Sequence, residues 1–167
     1  MPLSPRQRQF LTRENGWVSG LIAVAVNAVL LAAGPLRGGP TVDDRAVFGD
    51  VYGTAFLLPF ITTLIATPLV RRAVRAGVVE GAALPAWPRL VGLPTFGRAV
   101  WFGLAGAVTT CIPAAAADVA TGSFEMPTNV FAVLKLLFVF VYASLATPPI
   151  ARVAMADIDD AAASPVP

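Results

Sequence analysis

Ile65-Ala66-Thr67-Pro68-Leu69-Val70-Arg71-Arg72 returns 80 residues later as Leu145-Ala146-Thr147-Pro148-Pro149-Ile150-Ala151-Arg152. Each copy closes a long apolar segment, and each such segment follows another apolar segment rich in small residues. Working outward from this near-repeat, the chain reads as two helical hairpins in tandem. The expected fold is all-α: an integral membrane bundle of four transmembrane helices.

Composition agrees. Of the 167 residues 56% are hydrophobic and only 13% charged, with a mean hydropathy of +0.72. A soluble domain carries roughly 25% charged residues and needs them to cover its surface. Histidine is absent and Cys111 is the single cysteine, which removes histidine-ligated haem, most zinc sites, an internal disulfide and the commonest general base. No cofactor is expected. The preference for Arg over Lys, with abundant Ala, Val, Gly and Pro, is the usage of a GC-rich bacterial genome. A formal charge of +2 and a pI near 9.2 do not make a nucleic-acid protein. The arginines sit beside apolar ends, where membrane topology explains them.

Residues 1–16 form a polar, cytoplasmic N-terminal segment with Arg6, Arg8 and Arg13. The first apolar segment, 17–34, spans about 27 Å as a helix. It is long for a signal sequence, is followed directly by Pro35, and has a counterpart in the second half, so it reads as a retained helix. The second segment, 47–70, carries Pro59 at its middle, where a kink is expected. The connection from Arg71 to Arg98 holds Pro85, Pro88 and Pro94 with Trp87 and reads as a short interfacial stretch. The third and fourth segments, 99–120 and 128–153, complete a transmembrane domain of residues 17–153. Residues 154–167 are expected to be a cytoplasmic tail, acidic at first and disordered at its end.

Arginines give the orientation. Nine lie in the N-terminus, the second loop and the tail, against Arg37 and Arg45 in the other two loops, which carry Asp43, Asp44, Asp50, Asp118 and Glu125. The positive-inside rule puts both termini in the cytoplasm of a bacterial inner-membrane, multi-pass protein. Two crossings per repeat give both halves one orientation, with a pseudo-twofold axis along the membrane normal and Thr67 equivalent to Thr147.

Segments one and three carry small-residue seams at helical spacing: Gly16, Gly20, Ala23 and Asn27 in one, and Gly103, Ala107, Thr110, Ala114 and Ala117 in the other. Close backbone approach across such faces holds helices together in lipid. These two segments are therefore expected at the centre, with the bulkier second and fourth outside. Thr67-Pro68 and Thr147-Pro148 read as shared helix ends, or as paired hinges at a cytoplasmic gate. Asn27 is expected to seek a partner across a helix interface.

Lys135, the only lysine, lies roughly 10 Å inside the fourth segment. A charge there costs about 2.5–3.5 kcal/mol at the bilayer midplane and asks for a reason. It either snorkels to the headgroups, pairs with Asp50 or Asp118, or serves an anionic ligand or ion path. Aligning the two Thr-Pro ends puts Asp50 about 7.5 Å above Lys135. No metal-ligand cluster, phosphate loop or nucleophile with a base is visible, and Asp50, Asp118 and Glu125 read as solvated acids of the outer face.

The fourth segment, with Lys135 early and a Thr147-Pro148-x-x-Ala151 close, resembles small uncharacterised bacterial four-helix inner-membrane proteins. The second segment resembles them too, with Asp50 at its start, Phe56-Leu57-Leu58-Pro59-Phe60 in its middle and Arg71-Arg72 at its end. That resemblance implies architecture alone. Three functions remain open: a small oligomeric permease or channel-like unit, a non-transporting accessory or binding subunit of a membrane complex, and a membrane enzyme acting on a hydrophobic substrate, the weakest of the three. The expected partners are membrane lipids and either further copies of the chain or another membrane protein, with no nucleic acid.

Overall fold

A computed structural model describes residues 3–33, 39–81 and 88–163. Four of its helices are long and apolar enough to cross a membrane: Pro5–Ala33, Asp44–Arg75, Thr95–Thr121 and Thr128–Ala156. Trp87, Pro85, Arg37 and the last residues of the tail lie outside the described residues.

The first of these helices starts well before the apolar run. Ser4 accepts from the Gln7 amide at 3.2 Å while the Ser4 amide donates to Gln7 Oε1 at 2.9 Å, a reciprocal cap with Pro5 at the first helical position. Helix α1 (Pro5–Gln9) passes through a π-helical stretch, Phe10–Trp17, into α2 (Val18–Ala33). In that stretch the Asn15 side chain donates to the Phe10 carbonyl at 2.9 Å. Helix α3 (Asp44–Arg75) begins at Asp43, whose carboxylate accepts from the Ala46 amide at 2.8 Å. Helix α4 (Thr95–Thr121) ends at Gly122, where φ is +64°, a conformation that favours glycine. Helix α5 runs Thr128–Ala163.

The Thr-Pro pairs therefore do not end their helices. Chain continues helical past Pro68 to Arg75, and past Pro148 and Pro149 to Ala163. A proline removes one amide and one turn's bond, and apolar packing on either side carries the helix through. The same correction applies to residues 154–163, expected as tail but helical here, with Met155 and Ala156 buried.

Two short strands, β1 (Thr41–Asp43) and β2 (Glu125–Pro127), pair antiparallel with Val42 opposite Met126. Each runs directly into its helix, so the ladder brings the starts of α3 and α5 to one end of the molecule. The Thr128 amide and hydroxyl donate to Pro40 and Gly39 carbonyls at 2.9 and 2.7 Å and tighten that end. At the opposite end Phe10, Leu11, Val70, Val79, Ala151, Ala154 and Met155 form one apolar cluster. Gln7, buried there, donates to the Gly81 carbonyl at 2.6 Å. The N-terminal segment and the last part of α5 thus share an end.

Helix packing reverses the expected layout. α3 and α5 pack on each other, α2 packs on α5, and α4 packs on α3, so the bulky helices are central and the small-residue helices flank them. A seam of small residues is one face wide and admits one close neighbour, whereas α3 and α5 have side chains for two. The α2 seam is as expected: Gly16, Gly20, Ala23 and Asn27 are all buried. A Cβ on Gly20 would lie 2.9 Å from the Phe140 ring, and Trp17 meets that ring edge-on at 5.7 Å. On α4 the docking face is Ala99, Gly103 and Gly106, with a Cβ on Gly103 lying 2.8 Å from Phe56. Ala107, Thr110 and Ala114 are half-buried and Ala117 is exposed, so the outer part of the expected seam drifts away from α3.

One spacing recurs. The buried residues of α3 are Ala55, Pro59, Thr63, Ala66, Thr67 and Val70, and those 84 positions on, Val139, Ala143, Thr147, Ile150, Ala151 and Ala154, are all buried in α5. Val42 and Met126, opposed in the ladder, share that spacing. At 80, the spacing of the Thr-Pro pairs, Ala55 falls on Lys135 and Ala66 on Ala146, neither fully buried.

Each of the four helices keeps an exposed apolar stripe, including Leu21 and Val29 on α2, Leu57, Ile61, Ile65 and Leu69 on α3, Leu104, Val108 and Ile112 on α4, and Leu137, Val141 and Leu145 on α5. Such continuous apolar surface is foreign to a protein in water.

Candidate functional site between the two central helices

Lys135 is the eighth residue of α5 and Asp50 the seventh of α3. Because the strand ladder levels the two helix starts, both lie about 10 Å down their helices, at one depth. The Thr-Pro alignment had set them a turn apart. Lys135 Nζ donates to Asp50 Oδ1, with the lysine side chain 9% exposed and the aspartate 25%. The lysine is thus paired with Asp50 and not with Asp118. A carboxylate answers the nearly enclosed ammonium, and the aspartate remains partly open toward the end that carries the strand ladder.

Asp118 does not join them. Its backbone carbonyl accepts from the Gly122 amide at 3.2 Å at the end of α4, and its side chain is half-buried. Asp43 is taken up by its cap, and Glu125 stands opposite it in the ladder. No group of three or more metal-ligating side chains is found among the described residues.

A second polar contact lies about one and a half to two turns deeper. Pro59 has no amide, so the Ala55 carbonyl loses its partner in α3. The Tyr142 hydroxyl of α5 donates to that carbonyl at 2.9 Å. Gly106 of α4 closes over the same point: a Cβ there would lie 2.7 Å from both the Ala55 oxygen and Pro59. Three helices therefore meet at one unpaired carbonyl. The sequence marks Pro59 as the place where a helix bond is lost but does not point to Tyr142 or Gly106, since nothing local marks a tyrosine in another helix as the substitute donor.

Below this the interface is closed. Thr63, Thr67 and Thr147 are at most 1% exposed. Thr63 and Thr147 donate to the carbonyls of Pro59 and Ala143, four residues back in their own helices, each at 2.7 Å. Pro68 is exposed and Pro148 half-buried. Asn27 also bonds within its own helix, its side chain donating to the Ala23 carbonyl at 2.9 Å, and not across an interface as expected. At the opposite end the guanidinium of Arg98, 2% exposed, donates to the Val91 carbonyl, and Arg71 reaches Thr95 Oγ1 at 3.4 Å.

Comparison with protein-family models, curated proteins and solved structures finds no match to this chain.

Proposed function

We propose that the chain is a multi-pass protein of the bacterial inner membrane with both termini cytoplasmic, working as a small permease or channel-like unit assembled from more than one copy. The observation carrying this reading is the Lys135–Asp50 pair, an ionisable couple held between the two central helices inside an otherwise apolar layer. Support for membrane insertion comes from the exposed apolar stripes on all four helices and from Trp17 and Trp101, both half-exposed toward the arginine-rich end. The 84-residue recurrence of buried positions and the ladder centred on Val42 and Met126 support a pseudo-twofold relating the halves, with Thr63 the equivalent of Thr147. Four helices in this packing leave the α3–α5 contact closed below Tyr142, so a pathway would run between copies or open by movement.

That closed contact favours a second reading, a non-transporting accessory subunit whose partner is another membrane protein. Purified protein in liposomes, assayed for proton, sodium and potassium flux with and without Lys135→Met, separates the two. The transport reading expects a flux that depends on Lys135 and more than one copy per particle by mass measurement in native nanodiscs. A monomer with no flux above empty liposomes would overturn it and leave the accessory reading.

A further inference from the structure

The geometry points to a movable arm: the outer part of α3, from Asp44 to Leu58, turns or bows away from α5 about Pro59, and Lys135 and Tyr142 are the two latches that hold it shut.

Four observations carry this. From Asp44 to Thr54 not one residue of α3 is fully buried; Ala55 is the single buried residue of the arm, whereas Pro59, Thr63, Ala66, Thr67 and Val70 all are below it. Sparse burial is the mark of a segment that opens before the rest. Gly49 and Gly53 lie within the arm, and a Cβ at either would meet nothing within 4 Å, so that face of the arm has room, with Phe48 edge-on to Phe124 as the ring contact near its head. Pro59 removes the helix bond that would tie Ala55 to the turn below, which makes that level a natural bending point. Both interhelical polar contacts between the arm and α5, Lys135 to Asp50 and Tyr142 to the Ala55 carbonyl, fall on the outer side of Pro59.

The strand ladder pins the head of the arm to the head of α5. Movement is therefore a crank between two fixed points, the ladder and Pro59, and not a splaying apart. Turning the arm carries the Asp50 carboxylate away from Lys135 toward the outer end, exposing the ammonium to water from that side. That this serves as the outer gate of a transport unit rests on the reading above; the movement itself does not.

Backbone hydrogen exchange in nanodiscs tests the movement without any transport assay. In the Lys135→Met, Tyr142→Phe double variant, amides of residues 46–58 should exchange about tenfold faster, while those of 60–75 and of α5 below Ala143 stay as in the parent chain. Adding Pro59→Ala restores an amide for the Ala55 carbonyl and should slow the arm again. Unchanged exchange in 46–58, or an equal rise along the whole of α3, would overturn the arm; a fast arm unaffected by Pro59→Ala would overturn Pro59 as its pivot. The single Tyr142→Phe variant, expected to show a smaller rise confined to the same stretch, serves if the double variant fails to fold.

Discussion

Lys135 Nζ meets Asp50 Oδ1 because two strands of three residues, and not the matching Thr-Pro motifs, set the heights of α5 and α3. The pair sits at the contact of the two central helices with the lysine nearly enclosed. Removing the cation leaves the Asp50 carboxylate, a quarter exposed, to water, which limits the loss.

Lys135→Met should cost about 1–3 kcal/mol of stability in detergent, with most of it recovered when Asp50 is also made apolar. A double-mutant cycle reads the coupling directly. Coupling to Asp50 above about 0.5 kcal/mol and to Asp118 below about 0.3 kcal/mol is the expected result; the reverse order would mean that the lysine has a different partner in the membrane.

Glycines give a contrast within one molecule. Gly106→Ala should destabilise by about 1–3 kcal/mol, because the new Cβ meets the Ala55 carbonyl and Pro59, which cannot move aside. Gly53→Ala, in open space, should be neutral or stabilise by up to about 1 kcal/mol through helix propensity. Thermal unfolding of both variants in the same detergent decides whether α4 docks as described.

Orientation is checked by accessibility. In a Cys111→Ala background, Ser123→Cys should react with a membrane-impermeant maleimide from outside intact cells, and Glu80→Cys only after the membrane is opened. Both positions are exposed and lie at opposite ends of the bundle. The opposite pattern would invert the protein in the membrane.

Gln7 ties the N-terminal segment to the second loop through the Gly81 carbonyl. Gln7→Ala should leave the four long helices in place but loosen Pro5–Gln9, raising protease cleavage at Arg6 and Arg8 several-fold in inside-out vesicles. Cleavage unchanged from the parent chain would show that apolar contacts of Phe10 and Leu11 alone hold the segment.

Much of the architecture was legible because long uncharged runs need only counting: the four helices and the α2 seam both follow from local pattern. Helix ends were less legible, since Thr-Pro reads as a stop and here is carried through by buried residues before and after it, Thr67 and Val70 in α3 and Thr147 and Ile150 in α5. The order of packing was misread for a physical reason: small residues mark where a helix is touched, not how many helices touch it. For Lys135 the sequence left open snorkelling, a pair with Asp50 or Asp118, and a ligand or ion path. Choosing between the two acids required the level of the helix starts, which three-residue strands too short to announce themselves decide.

The packing order also has a meaning in time. α2 is the first of the long helices to leave the ribosome, and α5, against which it docks, is the last. The 94 residues between Ala33 and Thr128 must therefore be made before α2 can meet its neighbour. Its one strongly polar side chain, Asn27, donates to the Ala23 carbonyl of its own helix and so needs no companion during that interval. The bundle closes only once α5 has been made, and a chain truncated before Thr128 would leave the glycine face of α2 bare.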